Sequence, residues 1–208
     1  MQADLGVLPL VAILRGLGAH EAPQVGRALF DAGFRLLEVP LNRPGALAAI
    51  QALLQIAPPD AIIGGGTMLS VEHVEQVHAA GGRMMVSPNF DAAVVRRAVA
   101  LDMLAFPGVV TPSEAWQALA AGAHGLKLFP AEMIPPAAVK ALRSVLPPEV
   151  LLMPVGGIDV DNMAAYARAG ANGFGIGGAL YQSGVAPAAL AQAAAAFISA
   201  RQRLIAAD

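Results

Sequence analysis

Short apolar runs recur along the chain at an even pace: LVAIL from residue 10, RLLEV from 35, AIIGG from 61, RMMVS from 83, MLAFP from 103, GLKLF from 125, LLMPV from 151 and GFGIG from 173. Each is short and nearly continuous, the pattern of a strand buried on both faces of a parallel sheet. Between them lie segments with helical spacing, among them EAPQVGRALFDAG, SVEHVEQVHAAGG, DAAVVRRAVALD and DVDNMAAYARAG. They open near Asp, Ser or Glu and often close at Gly, the usual start and stop signals of helices. Eight such units, spaced 20 to 26 residues apart with no linker or break in composition, predict an α/β fold. The specific expectation is a (β/α)8 TIM barrel, one domain over residues 1–208. The competing arrangement is an open doubly wound sheet. It prefers a GxGxxG turn after its first strand, and here that strand runs into Arg15-Gly16-Leu17-Gly18 with no third glycine.

A chain that is 56% hydrophobic and 13% charged can bury a large core and has little polar surface to spare. A formal net charge of -2 gives no broad basic face, so nucleic acid is not an expected partner. The absence of cysteine excludes disulfides and cysteine metal sites and suits a reducing compartment, so a cytoplasmic location is expected. The start, MQADLGVLPLVAILRG, is acidic rather than basic and its apolar run stops at Arg15, so no signal peptide is expected. Between Arg168 and Arg201 lie 32 uncharged residues, which raises the question of a membrane. Gly170, Gly173, Gly175, Gly177, Gly178 and Pro187 interrupt them, and a strand, a turn and an alanine-rich helix fit better than a span. The histidines at 20, 73, 78 and 124 show no metal-ligand spacing; no metal and no cofactor are expected. Trp116, in SEAWQALAAG, suits helix packing or a subunit contact.

The residue that most needs explaining is a lysine. The chain has only two, Lys127 and Lys140, and the first sits inside the apolar run HGLKLFPAE. Successive strand residues alternate between the barrel interior and the helix layer. If Leu126 and Leu128 face the helices, Gly125, Lys127 and Phe129 face inward. A poorly hydrated amine has a larger neutral fraction able to attack a carbonyl, a Schiff-base environment. The alternative is a structural lysine paired with a buried carboxylate. Glu38, in RLLEVP, also points inward, with Leu37 and Val39 outward. It is either the salt-bridge partner of Lys127 or a proton shuttle.

Glycine-rich strand ends suggest an anion site. PVGGID and GIGGAL put Gly156, Gly157, Gly177 and Gly178 in the last two loops, where such barrels build phosphate sites from backbone N–H groups; tight backbone packing is the plainer explanation. Arg15, at the end of the first strand, neighbours the eighth around a closed barrel and suits either an anion contact or a rim salt bridge. Gly64, Gly65, Gly66 and Thr67 read as a turn after the third strand, able to hold a substrate carboxylate or simply to cap a helix.

In chain order, LVAILRG, LLEVPLNRP, IGGGTML, SPNF, FPG, GLKLFPAE, PVGGI and GIGGALY resemble the class I aldolases acting on 2-keto-3-deoxy-6-phospho sugar acids. The motifs fall at nearly all the strand ends. The resemblance implies a homotrimeric (β/α)8 barrel with a Schiff-base lysine at Lys127, a catalytic glutamate at Glu38, and substrate contacts at Arg15, Thr67 and Gly157. It further implies cleavage of a small phosphorylated sugar acid to pyruvate and glyceraldehyde 3-phosphate. Gly66, Phe129, Gly156, Gly177 and Gly178 are the remaining candidate substrate contacts. Two departures stand out. Phosphogluconate-cleaving members commonly carry threonine and arginine where this chain has Pro40 and Asn42, which favours the galactonate branch. A serine that touches phosphate in many members is Gly178 here, so backbone amides must carry more of that contact. A phosphosugar isomerase and a phosphate- or flavin-binding barrel are the competing functions.

Overall fold

The computed structural model describes residues 8–206; the acidic start of the chain lies outside the described residues. Strand and helix alternate throughout: β1 (Leu10–Ile13), α1 (Ala22–Ala32), β2 (Leu36–Pro40), α2 (Ala46–Leu54), β3 (Ile62–Gly66), α3 (Val71–Ala79), β4 (Met84–Val86), α4 (Ala92–Ala100), β5 (Leu104–Phe106), β6 (Gly108–Val109), α5 (Pro112–Ala120), β7 (Gly125–Leu128), α6 (Pro136–Arg143), β8 (Leu151–Pro154), α7 (Met163–Arg168), β9 (Phe174–Ile176) and α8 (Pro187–Ile205). A 3₁₀ turn, Ala131–Met133, precedes α6. The strands pair in parallel in two sheets, ordered β5-β4-β3-β2-β1-β9 and β6-β7-β8.

Every apolar run read from the sequence coincides with a strand: the second and third stop one residue short of the ends of β2 and β3, and the fifth encloses β5 and borders β6. Pro107 lacks an N–H and interrupts the ladder, so β5 stops at Phe106 and the chain resumes as β6 against β7. Hydrogen bonds nevertheless cross both seams between the sheets. His124 N donates to Ala105 O at 3.0 Å and Lys127 N to Pro107 O at 2.9 Å; opposite, Asn172 N donates to Leu152 O at 3.2 Å and Val155 bridges Gly175. The architecture is α/β, a curled layer of parallel strands with helices packed against it.

The alternation of strand side chains divides the core in two. Leu37, Val39, Leu126 and Leu128 join Leu29, Ile50 and Val139 of the helices in a large outer cluster. Val11, Leu36, Met84, Val86, Leu104, Phe106 and Met153 form a separate inner cluster. Glu38 and Lys127, one residue from the outer-facing leucines and valine, therefore fall on the inner face. Side-chain caps fix where several helices begin. Ser70 accepts from His73 N, Asp91 from Ala93 N and Val94 N, and Thr111 with Glu114 forms a capping box. The uncharged stretch from 169 to 200 becomes β9, a loop and most of α8, and among the described residues no helix is long and apolar enough to cross a membrane.

One reading needs correcting. Gly64, Gly65 and Gly66 are not a turn after the third strand; they are its last three residues, and the cap of α3 is Ser70 rather than Thr67. Steric crowding explains the glycines: a Cβ on Gly64 would lie 2.7 Å from Cα of Met84, and one on Gly66 would lie 2.6 Å from Cγ of Glu38. Gly178, by contrast, has open space where its Cβ would go. Gly64→Ala is therefore expected to destabilise the protein by about 1–3 kcal/mol, the usual scale for overpacking, while Gly178→Ala leaves stability unchanged. Urea unfolding of both variants checks this, and equal midpoints would contradict it.

Candidate active site

Strand register carries Glu38 into the interior, with Ile13 of β1 on one side and Gly64 of β3 on the other. The side chain is 2% exposed, lies over Gly66, and has one carboxyl oxygen, Oε2, without a hydrogen-bond partner. Loss of hydration holds this carboxyl group above its ordinary range; the charges of Lys127 and Arg15 pull the other way without cancelling the effect. Lys127 is 6% exposed and lies between Gly108 and Met153 in register. Its Nζ sits 4.8 Å from the centre of the Phe129 ring, a cation–π distance. Ser87 is buried as well, and its Oγ donates to Asn89 O at 2.7 Å.

The ion pairs found among the described residues, His20–Glu21, Arg35–Asp60 and Arg97–Glu75, involve neither Glu38 nor Lys127. A purely structural pair would recover its desolvation cost through direct contact, and no such contact forms here. Arg15 enters none of these pairs either, so among the described residues it makes no rim salt bridge.

Above this interior opens a cavity of about 560 Å³ at the ends of β1, β7, β8 and β9. Arg15, Phe129, Gly156, Gly157, Gly177 and Gly178 all line it, so six residues picked out in the sequence meet in one space. The two glycine pairs differ physically. Gly156 and Gly157 have φ of 108° and 61°, a left-handed conformation that favours glycine, and the Glu132 side chain lies against both. Gly177 and Gly178 are unstrained and border open space, so a side chain there would project freely. Gly66 and Thr67 do not line this cavity. Thr67 is half-buried beyond β3 with φ of 52°, a conformation that is costly for a β-branched residue and recurs where function holds the backbone in place.

Sequence reasoning gave no role to Tyr181 and Gln182, which also line the cavity. Tyr181 closes the GIGGALY motif, so its position one turn beyond the glycines was the available signal. Its hydroxyl hydrogen-bonds Glu21, and burial with that neighbouring carboxylate pushes its pKa up to about 12. The Nδ1 atoms of His73 and His124 accept from Leu69 N and Ala105 N, and His20 pairs with Glu21. No group of three or more His, Asp or Glu side chains able to hold a metal converges among the described residues.

Buried amine and carboxyl groups beneath an arginine-lined cavity, at the strand ends of a parallel α/β scaffold, are the layout of an enzyme acting on a small anionic carbonyl compound. The chain belongs to a family of aldolases: the family model described as "Aldolase: KDPG and KHG aldolase" matches residues 1–193. A relative from Rhizobium meliloti, named "Probable 2-dehydro-3-deoxy-6-phosphogalactonate aldolase", is 44% identical over 192 residues, covering 92% of this chain and 91% of that protein. A solved structure described as "Native KDPGal structure" superposes with a TM-score of 0.93 at 41% identity, covering 95% of this chain and 96% of the other. At 26% identity, with a TM-score of 0.74 and coverage of 95% and 94%, the chain also resembles a KDPG aldolase from Legionella pneumophila solved "with pyruvate captured at low pH as a covalent carbinolamine intermediate". The protein is thus an aldolase, a lyase of carbohydrate catabolism.

The buried carboxyl group has a consequence for stability. Because its pKa in the folded protein is raised above the ordinary 4.5, its contribution is fully present below that value and is lost as pH rises through the folded value. Wild type should therefore compare best with Glu38→Gln near about pH 4, the ordinary glutamate range, and lose ground steadily toward neutral pH. Thermal unfolding of both proteins across that range is the check; a difference in Tm that stays constant would contradict it.

Proposed function

We propose that the protein is a Schiff-base aldolase that cleaves 2-dehydro-3-deoxy-6-phosphogalactonate to pyruvate and glyceraldehyde 3-phosphate, with Lys127 as the nucleophile. The observation that carries this reading is the Lys127 amine, buried without a carboxylate contact, on the same inner face as Glu38 and beside Phe129, which lines the Arg15 cavity. The Legionella relative, with pyruvate bound as a carbinolamine, supports the same chemistry.

In this mechanism the neutral amine of Lys127 attacks the C2 ketone to give a carbinolamine, which loses water to become an iminium. Glu38, as carboxylate, takes the proton of the C4 hydroxyl. The C3–C4 bond breaks, its electron pair flows to the iminium, and glyceraldehyde 3-phosphate leaves behind an enamine. A proton added at C3 restores the iminium, and water releases pyruvate and the free amine. Arg15 and the backbone at Gly156, Gly157, Gly177 and Gly178 hold the phosphate, Thr67 and the adjacent Gly66 backbone hold the carboxylate, and Phe129 packs against the reacting carbons. The chemistry requires no metal or cofactor.

Wider features of the reading follow the same family. The hydrogen bonds across both seams support closure of the two sheets into an eight-unit (β/α)8 barrel forming one domain. Trp116, half exposed on α5, and the exposed Val110 before it suit a subunit contact in a homotrimer. We place the enzyme in the cytoplasm. The choice of epimer rests on the galactonate name of the Rhizobium relative and on Pro40, buried at the end of β2, with exposed Asn42 two residues on. An amide both donates and accepts hydrogen bonds and arginine only donates, so the two hold different hydroxyl geometries near C4.

Pyruvate release coupled to lactate dehydrogenase tests this reading. The value of kcat/KM should be higher on the galactonate than on the gluconate epimer by roughly tens to hundreds of fold, the scale of one or two buried hydrogen bonds. Lys127→Arg should be inactive on both, because a guanidinium forms no imine. Equal or reversed epimer preference would overturn the substrate assignment, and an active Lys127→Arg the nucleophile.

A further inference from the structure

We propose that Arg15 ties the proton chemistry of Glu38 to occupancy of the glycine-lined cavity: a dianion seated there cancels the guanidinium charge that Glu38 otherwise feels. The carboxyl group is then a stronger base while phosphate is present and a stronger acid once it has left. The proposal rests on the reading of Glu38 as the proton carrier and adds to it a control by the remote end of the substrate.

Backbone register ties the two residues together. Ile13 pairs with Glu38 in register and Leu14 N donates to Glu38 O at 2.8 Å; the next residue is Arg15, which lines the cavity. Glu38 has an orphan oxygen and makes no ion pair among the described residues, so its charge is balanced only through space, by the buried Lys127 and by the exposed Arg15 at the mouth of the cavity. The charged groups facing it are few. From β1 there is Arg15, from β3 (Ile62–Gly66) no ionisable side chain, and from β7 across the interior Lys127, and these two cations are the ones that act on its titration. The Lys127 nitrogen changes charge through the reaction, cationic as iminium and neutral as carbinolamine or enamine. Arg15 stays cationic throughout, and only a bound anion alters its effect.

The sequence of events then has a direction. With phosphate on Arg15, Glu38 readily takes the C4 hydroxyl proton while the C3–C4 electron pair flows to the iminium. Departure of glyceraldehyde 3-phosphate empties the cavity and restores the Arg15 field. The same proton is then released more easily to C3 of the enamine. One proton moves from oxygen to carbon, and none is gained or lost.

Exchange of the pyruvate methyl hydrogens with deuterated solvent, followed by NMR across pH, isolates this step, because pyruvate has no phosphate of its own. Exchange needs ionised Glu38 and so falls on the acid side of the profile. Saturating inorganic phosphate is expected to move that acid limb to higher pH in wild type and in Arg15→Lys, lowering exchange several-fold at a pH on the limb. Arg15→Gln should show the limb already displaced upward and unresponsive to phosphate. A limb that phosphate leaves in place in wild type, or moves equally in Arg15→Gln, overturns the proposal. No exchange by wild type at any pH would instead defeat the Schiff-base reading on which the proposal stands.

Discussion

A carboxyl group kept out of water without a full set of hydrogen bonds is the constraint around which this molecule is arranged. Burying Glu38 in this way is costly, and its surroundings offset the cost only in part: one oxygen has no partner, no cation among the described residues touches it, and the charges of Lys127 and Arg15 act only through space. The compensation is spread over the rest of the fold. The outer cluster packs helices against the strands, and the inner cluster seals the lower interior with Val11, Leu36, Met84, Leu104 and Met153. Strand β3 gives up side chains at three successive positions, one of which, Gly66, makes room for the carboxyl group. A sequence that sacrifices packing and stability at one point, while its other choices agree with the fold, is expected to do so where function requires it, which is the ground for proposing Glu38 as a working residue.

The consequence is a division of labour along the axis of the site. Low in the interior, Lys127 and Glu38 are both buried on the inner face, and burial, more than the charges of Lys127 and Arg15, decides how the Glu38 carboxyl group titrates. Higher up, the cavity offers Arg15 and glycine backbone to an anion without placing a carboxylate contact on the arginine. Phe129 joins the two levels, with its ring near the Lys127 amine and the residue itself lining the cavity. Under the proposed function, binding energy from a remote phosphate would be used at the reacting carbons.

Much of this was legible in the sequence, for reasons that are physical rather than statistical. Strands buried on both faces must be apolar at nearly every position, so they stand out, and within them a lone Lys127 or Glu38 is conspicuous. The two-residue period then fixes which face each occupies, and the outer leucines and valine beside them agree. Features that depend on how separate segments meet were harder to see. Whether GGG is a turn or a strand turns on what lies beside it, here Met84 and Glu38, and Gly178 resembles Gly157 in sequence although only Gly157 has a left-handed backbone. Pro107 splits a strand because of the neighbour its missing N–H would have met, and Tyr181 reaches the cavity through the turn after the glycines, its place at the end of GIGGALY being the one signal of it.

The central claim is that the amine of Lys127 forms a covalent bond to the carbonyl carbon of its substrate. Its most direct measurement is to incubate the protein with pyruvate, reduce with borohydride, digest, and map the adduct by mass spectrometry. The chain supplies its own control, since its one other lysine, Lys140, lies exposed on α6. A pyruvyl adduct on the peptide containing Lys127 and none on that containing Lys140 is the expected result. An unlabelled Lys127, under conditions where a known Schiff-base aldolase is labelled, would contradict the account.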